Sequence, residues 1–262
     1  MGQNFLINPG TAGRILDYAG LGPEDTVLEV GPGLGTLTLL MAPRVAEVVA
    51  VEVDGGLAAY LEQRLRDEGA VNVRLVRGDI LKIPARALEG ARPPNKSVSN
   101  FPYSAGIRSL IRILEELPSL ELIVGTVQRE LAERVAAAPG RPEYAFVSVY
   151  LQLRAEVKVL ERVPPTHFFP RPRVESAVIS LRSRMGSLDP AFAARFKRVA
   201  KAAFAGRRKS LVNNLAALDL SLVKPVISSL VGDLFGDPGV RAERLSVQDF
   251  VRLTEALEPH LR

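Results

Sequence analysis

The sequence contains no cysteine, which excludes disulfides and thiolate metal sites. It has two histidines, His167 and His260, too few for a histidine-built metal centre, so no metal is expected. No apolar run approaches the roughly 18 residues that a membrane span needs. The opening residues, Met1-Gly2-Gln3-Asn4-Phe5, are neither basic nor followed by an apolar stretch, and this is the wrong pattern for a secretory signal. A cytoplasmic location with no membrane contact is the resulting expectation. A further absence is local: residues 195–209 carry seven Lys and Arg and no acid.

What is present suffices for a sizeable core. Of 262 residues, 47% are hydrophobic and 24% charged, an ordinary globular balance. That length allows one large domain, or a large and a small one. The net charge of +5 is unevenly placed: residues 187–262 hold 12 Lys and Arg against 8 acids, and residues 1–186 hold 22 against 21. A basic module beside a near-neutral one points to a polyanionic partner; simple solubility would need no more than the same total.

The chain is organised around Val27-Leu28-Glu29-Val30-Gly31-Pro32-Gly33-Leu34-Gly35. The apolar run reads as a buried strand, the alternating glycines as a tight turn, and Thr36–Ala42 as the following helix. Strand, glycine turn and helix form the ligand end of a Rossmann-like unit. The glycines are expected to let backbone approach a ligand. A dinucleotide loop, GxGxxG, would place its third glycine at 36, where this chain has Thr. Glu29 would repel a pyrophosphate but suits a cation. S-adenosylmethionine (SAM) carries a sulfonium and an ammonium and no phosphate. An ordinary strand-to-helix turn needs similar glycines, so the acids elsewhere matter.

Two more strands end in acids. Glu47–Glu52 ends at Glu52-Val53-Asp54, about twenty residues past the glycine turn, where a carboxylate takes the ribose hydroxyls of an adenosine cofactor. Gly55–Glu68 then has helical periodicity. Val73–Val76 precedes Gly78-Asp79-Ile80-Leu81, and Asp79 can accept from an adenine amine there. Each acid alone also fits a solvated strand end or a turn. Near the N-terminus Thr11 is a plausible helix cap, and residues 84–96 read as a surface loop.

Ser97–Ser99 delivers Asn100-Phe101-Pro102-Tyr103 at a strand end. An adenine N6 is a poor nucleophile because its lone pair is delocalised into the ring. Accepting both N6 hydrogens, at Asn100 Oδ1 and at the carbonyl of Phe101 or Pro102, frees that lone pair. Tyr103 offers a flat face for an extruded base, and such stacking is worth ~1–3 kcal/mol. Phe168 is expected to close the other face. It lies in Pro164–Arg173, a proline-rich loop expected not to pair in a sheet. This loop separates two strand-like stretches, Ala145–Val163 and Val174–Arg182, read as an antiparallel pair closing the sheet's edge. Helices are expected over Ser104–Leu117 and Gln128–Ala138, with a strand at Glu121–Val127 between them.

Met185-Gly186-Ser187 reads as a linker, and beyond it no strand pattern returns. Asp189-Pro190 fits a helix cap with proline at the first position. Phe192, Phe196, Val199 and Ala203 mark one face of that helix. Arg195, Arg198, Lys201, Arg207, Arg208 and Lys209 are the candidate RNA-binding residues.

These motifs together resemble the KsgA-type rRNA adenine N6-dimethyltransferase family, which acts on small-subunit rRNA. Gly2-Gln3-Asn4-Phe5-Leu6, Glu29–Gly35, Glu52-Val53-Asp54, Gly78–Leu81 and Asn100–Tyr103 match its motifs in order. So do Pro164–Val178, Phe204–Leu215 and Arg241–Ser246. Gly55-Gly56 and Arg108 depart from the usual pattern. The resemblance implies an α/β, Rossmann-like methyltransferase fold with a mostly parallel seven-stranded sheet and a small all-α C-terminal domain. It divides the chain into a SAM-binding catalytic domain, 1–186, and a basic RNA-recognition domain, 187–262. It implies cofactor contacts at Gln3, Gly31, Glu52, Asp79 and Asn100, extended by the same motifs to Asn4, Leu6, Glu29, Gly33, Gly35, Val53 and Ile80. The catalytic set it implies is Asn100, Phe101, Pro102, Tyr103 and Phe168. The implied substrate is two adjacent adenines in a hairpin loop near the 3′ end of small-subunit rRNA, each methylated twice, within a partly assembled 30S-type particle. A monomer is the default expectation.

Other readings are a macrolide-resistance-type large-subunit rRNA methyltransferase and a non-catalytic RNA-binding assembly factor on the same fold. The Arg207–Leu215 segment argues against the first, and intact Glu29, Glu52, Asp79 and Asn100 argue against loss of cofactor binding. A nicotinamide oxidoreductase is disfavoured by the glycine spacing and Glu29.

Overall fold

The computed structural model describes residues 3–90, 92–184, 188–218 and 221–261. The expected linker, Met185-Gly186-Ser187, lies outside the described residues. In chain order the elements are β1 (Phe5–Leu6), α1 (Pro9–Ala19), β2 (Thr26–Val30), α2 (Thr36–Met41), β3 (Glu47–Glu52) and α3 (Gly55–Asp67). There follow β4 (Val73–Arg77), β5 (Lys96–Asn100), α4 (Gly106–Glu116), β6 (Leu122–Gln128) and α5 (Arg129–Ala136). The remainder is α6 (Phe146–Arg154), β7 (Ala155–Val163), β8 (Phe168–Phe169), β9 (Ser176–Ser183), α7 (Pro190–Ala203), α8 (Leu211–Leu215), α9 (Lys224–Phe235) and α10 (Val247–Leu257).

The chain forms two compact units: Met1–Ala132 with Glu156–Met185, and Glu133–Ala155 with Gly186–Arg262. The single boundary expected at 186/187 is therefore incomplete, because residues 133–155 group with the C-terminal helices.

The first unit holds a seven-stranded sheet in the order β4-β3-β2-β5-β6-β9-β7. β4, β3, β2, β5 and β6 run parallel, and β9 pairs antiparallel with β6. All five residues of β2 are buried, as a parallel strand covered on both faces requires, which is why it reads as a continuous apolar run. From β2 the chain builds outward through β3 to β4, then returns to place β5 on the other side of β2. Strand order reverses between β2 and β5, and such a switch point opens a crevice at the carboxyl ends of the strands.

Three local readings differ from the structure. Asn8, not Thr11, caps α1: its Oδ1 accepts from the Thr11 amide at 2.9 Å. Thr11 is instead buried within the helix, its hydroxyl 2.8 Å from His167 Nδ1. The proline-rich loop does pair: Phe168 and Phe169 form β8, antiparallel to β1, with Leu6 opposite Phe168 and Phe5 opposite Phe169. Prolines flank these two residues, but each phenylalanine retains its own N–H.

The third difference is α6, where a strand is expected. Phe146 and Tyr150 stack with ring centroids 5.3 Å apart, and the Arg154 guanidinium lies 4.4 Å from the Tyr150 ring. Both pairs are spaced four apart, a helical contact that the alternation of the sequence conceals. The Ala145 amide donates to Ser148 Oγ at 3.0 Å and fixes the first turn. In this second unit Phe250 of α10 packs on Phe196 of α7 and on Phe204, with centroids 6.4 and 5.7 Å away. Among the described residues no helix is long and apolar enough to cross a membrane.

Candidate active site

The crevice at the switch point is a cavity of about 500 Å³. Four of the five parallel strands, β2, β3, β4 and β5, each deliver one piece of its wall. The end of β2 brings Glu29, Gly31 and Gly33; the end of β3 brings Glu52 and Val53. The segment after β4 brings Asp79 and Ile80, and the end of β5 brings Asn100, Phe101, Pro102 and Tyr103. The N-terminal arm adds Gln3, Asn4, Phe5 and Leu6. Residues scattered over a hundred positions therefore meet in one place.

Gly35 and Phe168 are not part of this wall. Gly35 has φ 82° and caps α2; a Cβ there would stand 2.6 Å from Leu61 Cδ1 of α3. Gly33, at φ 55°, would bring a Cβ within 2.9 Å of the Phe5 ring. Both glycines thus make room for the protein's own side chains, where the sequence reading assigned the space to a ligand. Phe168 is 2% exposed and packs in the core beside Leu6, Val163 and Val178. The reading of Phe168 as the second face of a base sandwich is therefore corrected. Alternation along β8 turns Phe168 inward and leaves Phe169 66% exposed, opposite the cavity-lining Phe5.

The acids differ in their surroundings. Glu29 is 2% exposed, and its Oε2 accepts from Thr38 Oγ1 at 2.6 Å. Burial pushes its carboxyl up to about 8; the Thr38 bond opposes this and the nearby Glu52 charge adds to it. Glu29 is thus largely protonated at neutral pH, where the sequence reading has a charged rim. Glu52 Oε2 accepts from the Gly33 amide at 3.1 Å and Oε1 from the Asp54 amide at 2.9 Å. Asp79 Oδ1 accepts from the Leu81 amide at 2.9 Å.

Asn100 is held from two sides. Its Oδ1 accepts from the buried Thr126 hydroxyl of β6, and its Nδ2 donates to the Asn4 carbonyl at 2.8 Å. The Pro102 carbonyl already accepts from the Ala105 and Gly106 amides, at 3.0 and 2.8 Å. Among the described residues no backbone amide donates to the Phe101 carbonyl. The Tyr103 hydroxyl lies 2.5 Å from Ser176 Oγ of β9, and burial raises its phenol above the ordinary range while Ser176 opposes. The sequence carried no signal for Thr126, and Ser176 stood only within the Pro164–Val178 motif without a role, because the sequence does not display the strand pairing that brings either to the site.

A buried carboxyl partnered, among the described residues, by a hydroxyl alone, a second carboxylate anchored by amides, and no phosphate-binding turn spacing fit SAM. When bound, that cofactor supplies an electrophilic methyl group on a positively charged sulfur.

The basic candidates lie in the second unit and are not equivalent. Arg195 is half-buried and pairs with Glu258 at 2.9 Å. Arg207 Nη2 donates to the Pro142 carbonyl at 2.7 Å. Arg198, Lys201, Arg208 and Lys209 are exposed. Asn214 Nδ2 donates to the Ala203 and Gly206 carbonyls, at 2.6 and 3.1 Å, pinning the turn that presents Arg207–Lys209.

Sheet order and crevice define a Rossmann-like SAM-dependent methyltransferase. A dimethyladenosine transferase from Plasmodium falciparum has the same fold, with TM-score 0.84 and 21% identity over 98% of this chain and 100% of that one. The 23S rRNA methyltransferase ErmE is similar at TM-score 0.72 and 28% identity, over 97% of this chain and 100% of that one. Residues 1–233 match the family model described as ribosomal RNA adenine dimethylase. Proteins named ribosomal RNA small subunit methyltransferase A are similar across the chain. That of Syntrophotalea carbinolica is 38% identical, covering 99% of this chain and 96% of its own. That of Pelotomaculum thermopropionicum is 39% identical, covering 98% and 90%. The chain belongs to the ribosomal RNA adenine dimethylase family, and its methyl donor is SAM.

Proposed function

We propose that this enzyme dimethylates N6 of two adjacent adenines in a hairpin loop near the 3′ end of small-subunit rRNA, as a cytoplasmic monomer acting on a partly assembled particle. The observation that carries this reading is the meeting of Asn100–Tyr103 with Glu29, Glu52 and Asp79 in one cavity. The full-length likeness to small-subunit methyltransferases at 38–39% identity, against 28% for the large-subunit enzyme, supports the choice of subunit.

Glu52 takes the ribose hydroxyls on the lone pairs its two amide donors leave over. Asp79 has one oxygen committed to Leu81 and presents the other to the cofactor's adenine amine. Glu29 lies where the cationic part of the cofactor needs a counter-charge. Asn100 Oδ1, aimed by Thr126, accepts one hydrogen of the target N6. The Phe101 carbonyl, rather than the committed Pro102 carbonyl, accepts the other. Drawing both hydrogens out of the ring plane moves the nitrogen toward tetrahedral geometry and localises its lone pair for attack on the methyl carbon. As the N–C bond forms the S–CH3 bond would break, and the methylated nitrogen would lose one proton to solvent. Tyr103, anchored through Ser176, supplies the stacking face. In the second unit Arg198, Lys201, Arg207, Arg208 and Lys209 bear on the rRNA backbone, with Arg195 committed to Glu258.

The test supplies labelled SAM to undermethylated small and large subunits, and maps the modified bases. Label should appear as N6-dimethyladenosine at two neighbouring positions in the small-subunit rRNA. Asn100→Ala should lower turnover by about 100-fold or more, with SAM affinity changed far less. Label confined to large subunits, or full turnover by Asn100→Ala, would reject the assignment.

A further inference from the structure

We propose that Arg108 binds a backbone phosphate of the RNA strand, beside the nucleotide whose base enters the cavity. Among the described residues the cavity wall carries three acids, Glu29, Glu52 and Asp79, and a single Lys or Arg, which is Arg108. Arg108 lies in the first turn of α4, exposed, next to Tyr103, Ser104 and Ala105 on the same wall. Among the described residues its guanidinium makes one hydrogen bond, a long one from Nη2 to the Ser104 carbonyl at 3.4 Å. Among the described residues it makes no ion pair. A guanidinium placed on an acid-lined wall and left without a carboxylate is open to an anion from outside.

The chemistry of the substrate says which anion arrives. A base that reaches Asn100 and Tyr103 remains tied to its own sugar and phosphates, so its phosphodiester must sit at the rim. The planar guanidinium matches two phosphate oxygens at once. Extruding a base costs a few kcal/mol of lost stacking, and a grip on the adjoining phosphate holds the strand while the base is out. The cofactor offers a competing anion, its carboxylate. That group shares a carbon with an ammonium, whose counter-charge lies deeper, at buried Glu29, whereas Arg108 is exposed on the side of Tyr103 and Ser104. The proposal rests on the target base entering beside Asn100–Tyr103.

The experiment compares wild type, Arg108→Gln and Arg108→Lys on undermethylated small subunits at saturating SAM, between about 50 and 200 mM KCl. SAM affinity is measured separately by calorimetry. Arg108→Gln should raise KM for the subunits about tenfold. It should also flatten the log–log salt dependence of kcat/KM by about 0.7, the share of one neutralised phosphate on single-stranded RNA. SAM affinity should stay within about twofold, and Arg108→Lys should restore the salt slope. A comparable loss of SAM affinity with an unchanged salt slope would give Arg108 to the cofactor carboxylate and overturn the proposal. So would wild-type behaviour of Arg108→Gln in both measurements. Failure of the wider reading would show separately, as wild-type enzyme that leaves small subunits unlabelled.

Discussion

Glu29 shows how one residue can tie cofactor binding to pH. Its folded-state carboxyl lies near 8, above the ordinary 4.5, chiefly through burial. The folded protein therefore holds a proton that the unfolded chain releases. The stability this residue contributes is full below about pH 4.5 and is lost as pH rises through 8. A cationic cofactor reverses that preference by stabilising the carboxylate, so binding expels the proton. SAM affinity should then rise between pH 6 and 8, approaching tenfold per unit, and level off above. Calorimetry at pH 7 in buffers of different ionisation heat should report up to one proton released per SAM bound. Glu29→Gln should remove both effects, and a wild-type titration without proton release would deny Glu29 its counter-charge role. The presence of this acid beside the glycine turn is legible in the sequence. Its protonation is not, because that follows from how deeply the fold buries the carboxyl and sets it near Glu52. Phe168 and Phe169 teach the same lesson: adjacent identical residues are told apart only by the register of β8 on β1.

At the scale of elements, the catalytic turn rests on the β5–β6 pair. Phe101 follows β5 and drives its ring down over Gly125 of β6, where a Cβ would stand 2.8 Å from the ring and collide with the Ser99 carbonyl. Gly125→Ala should therefore displace Phe101 and, with it, Asn100, which pairs with Thr126 in the same register. Overpacking of this kind costs about 1–3 kcal/mol, seen as a lowered Tm. The displacement should cost activity about 100-fold, since misplacement by about 1 Å is enough. Gly13 of α1 is the control: a methyl group added there would meet nothing within 4 Å, and Gly13→Ala should leave activity intact. Equal effects of the two changes would show that Gly125 has no special place under the turn. The parallel strands were legible because burial on both faces makes them continuous apolar runs. α6 was not, because FVSVYLQLR alternates like a strand and only its packing among α7 and α10 selects the helix.

At the scale of the molecule, charge is shared unevenly along the chain. The excess of cations falls after residue 186, but the structure divides those cations into ones used by the fold and ones left to solvent. Arg195 belongs to the first kind: it pairs with Glu258 and has a buried Nε without a partner. Arg208 and Lys209 belong to the second, on a turn fixed by Asn214. A sequence count cannot make this division, since pairing between 195 and 258 depends on how α7 meets the end of the chain. The two kinds should respond oppositely to charge reversal. Arg208→Glu with Lys209→Glu should weaken binding to undermethylated small subunits and flatten its salt slope by about 1.4, roughly 0.7 for each phosphate no longer neutralised. Tm and SAM affinity should hold. Arg195→Glu should instead set a carboxylate beside Glu258 and Asp189, which lie 2.9 and 3.8 Å from the Arg195 guanidinium, lowering Tm by several degrees, where about 2–4 °C corresponds to 1 kcal/mol in a protein near this size. If Arg195→Glu altered the salt slope while the double reversal did not, the RNA-facing surface would have to be redrawn around α7.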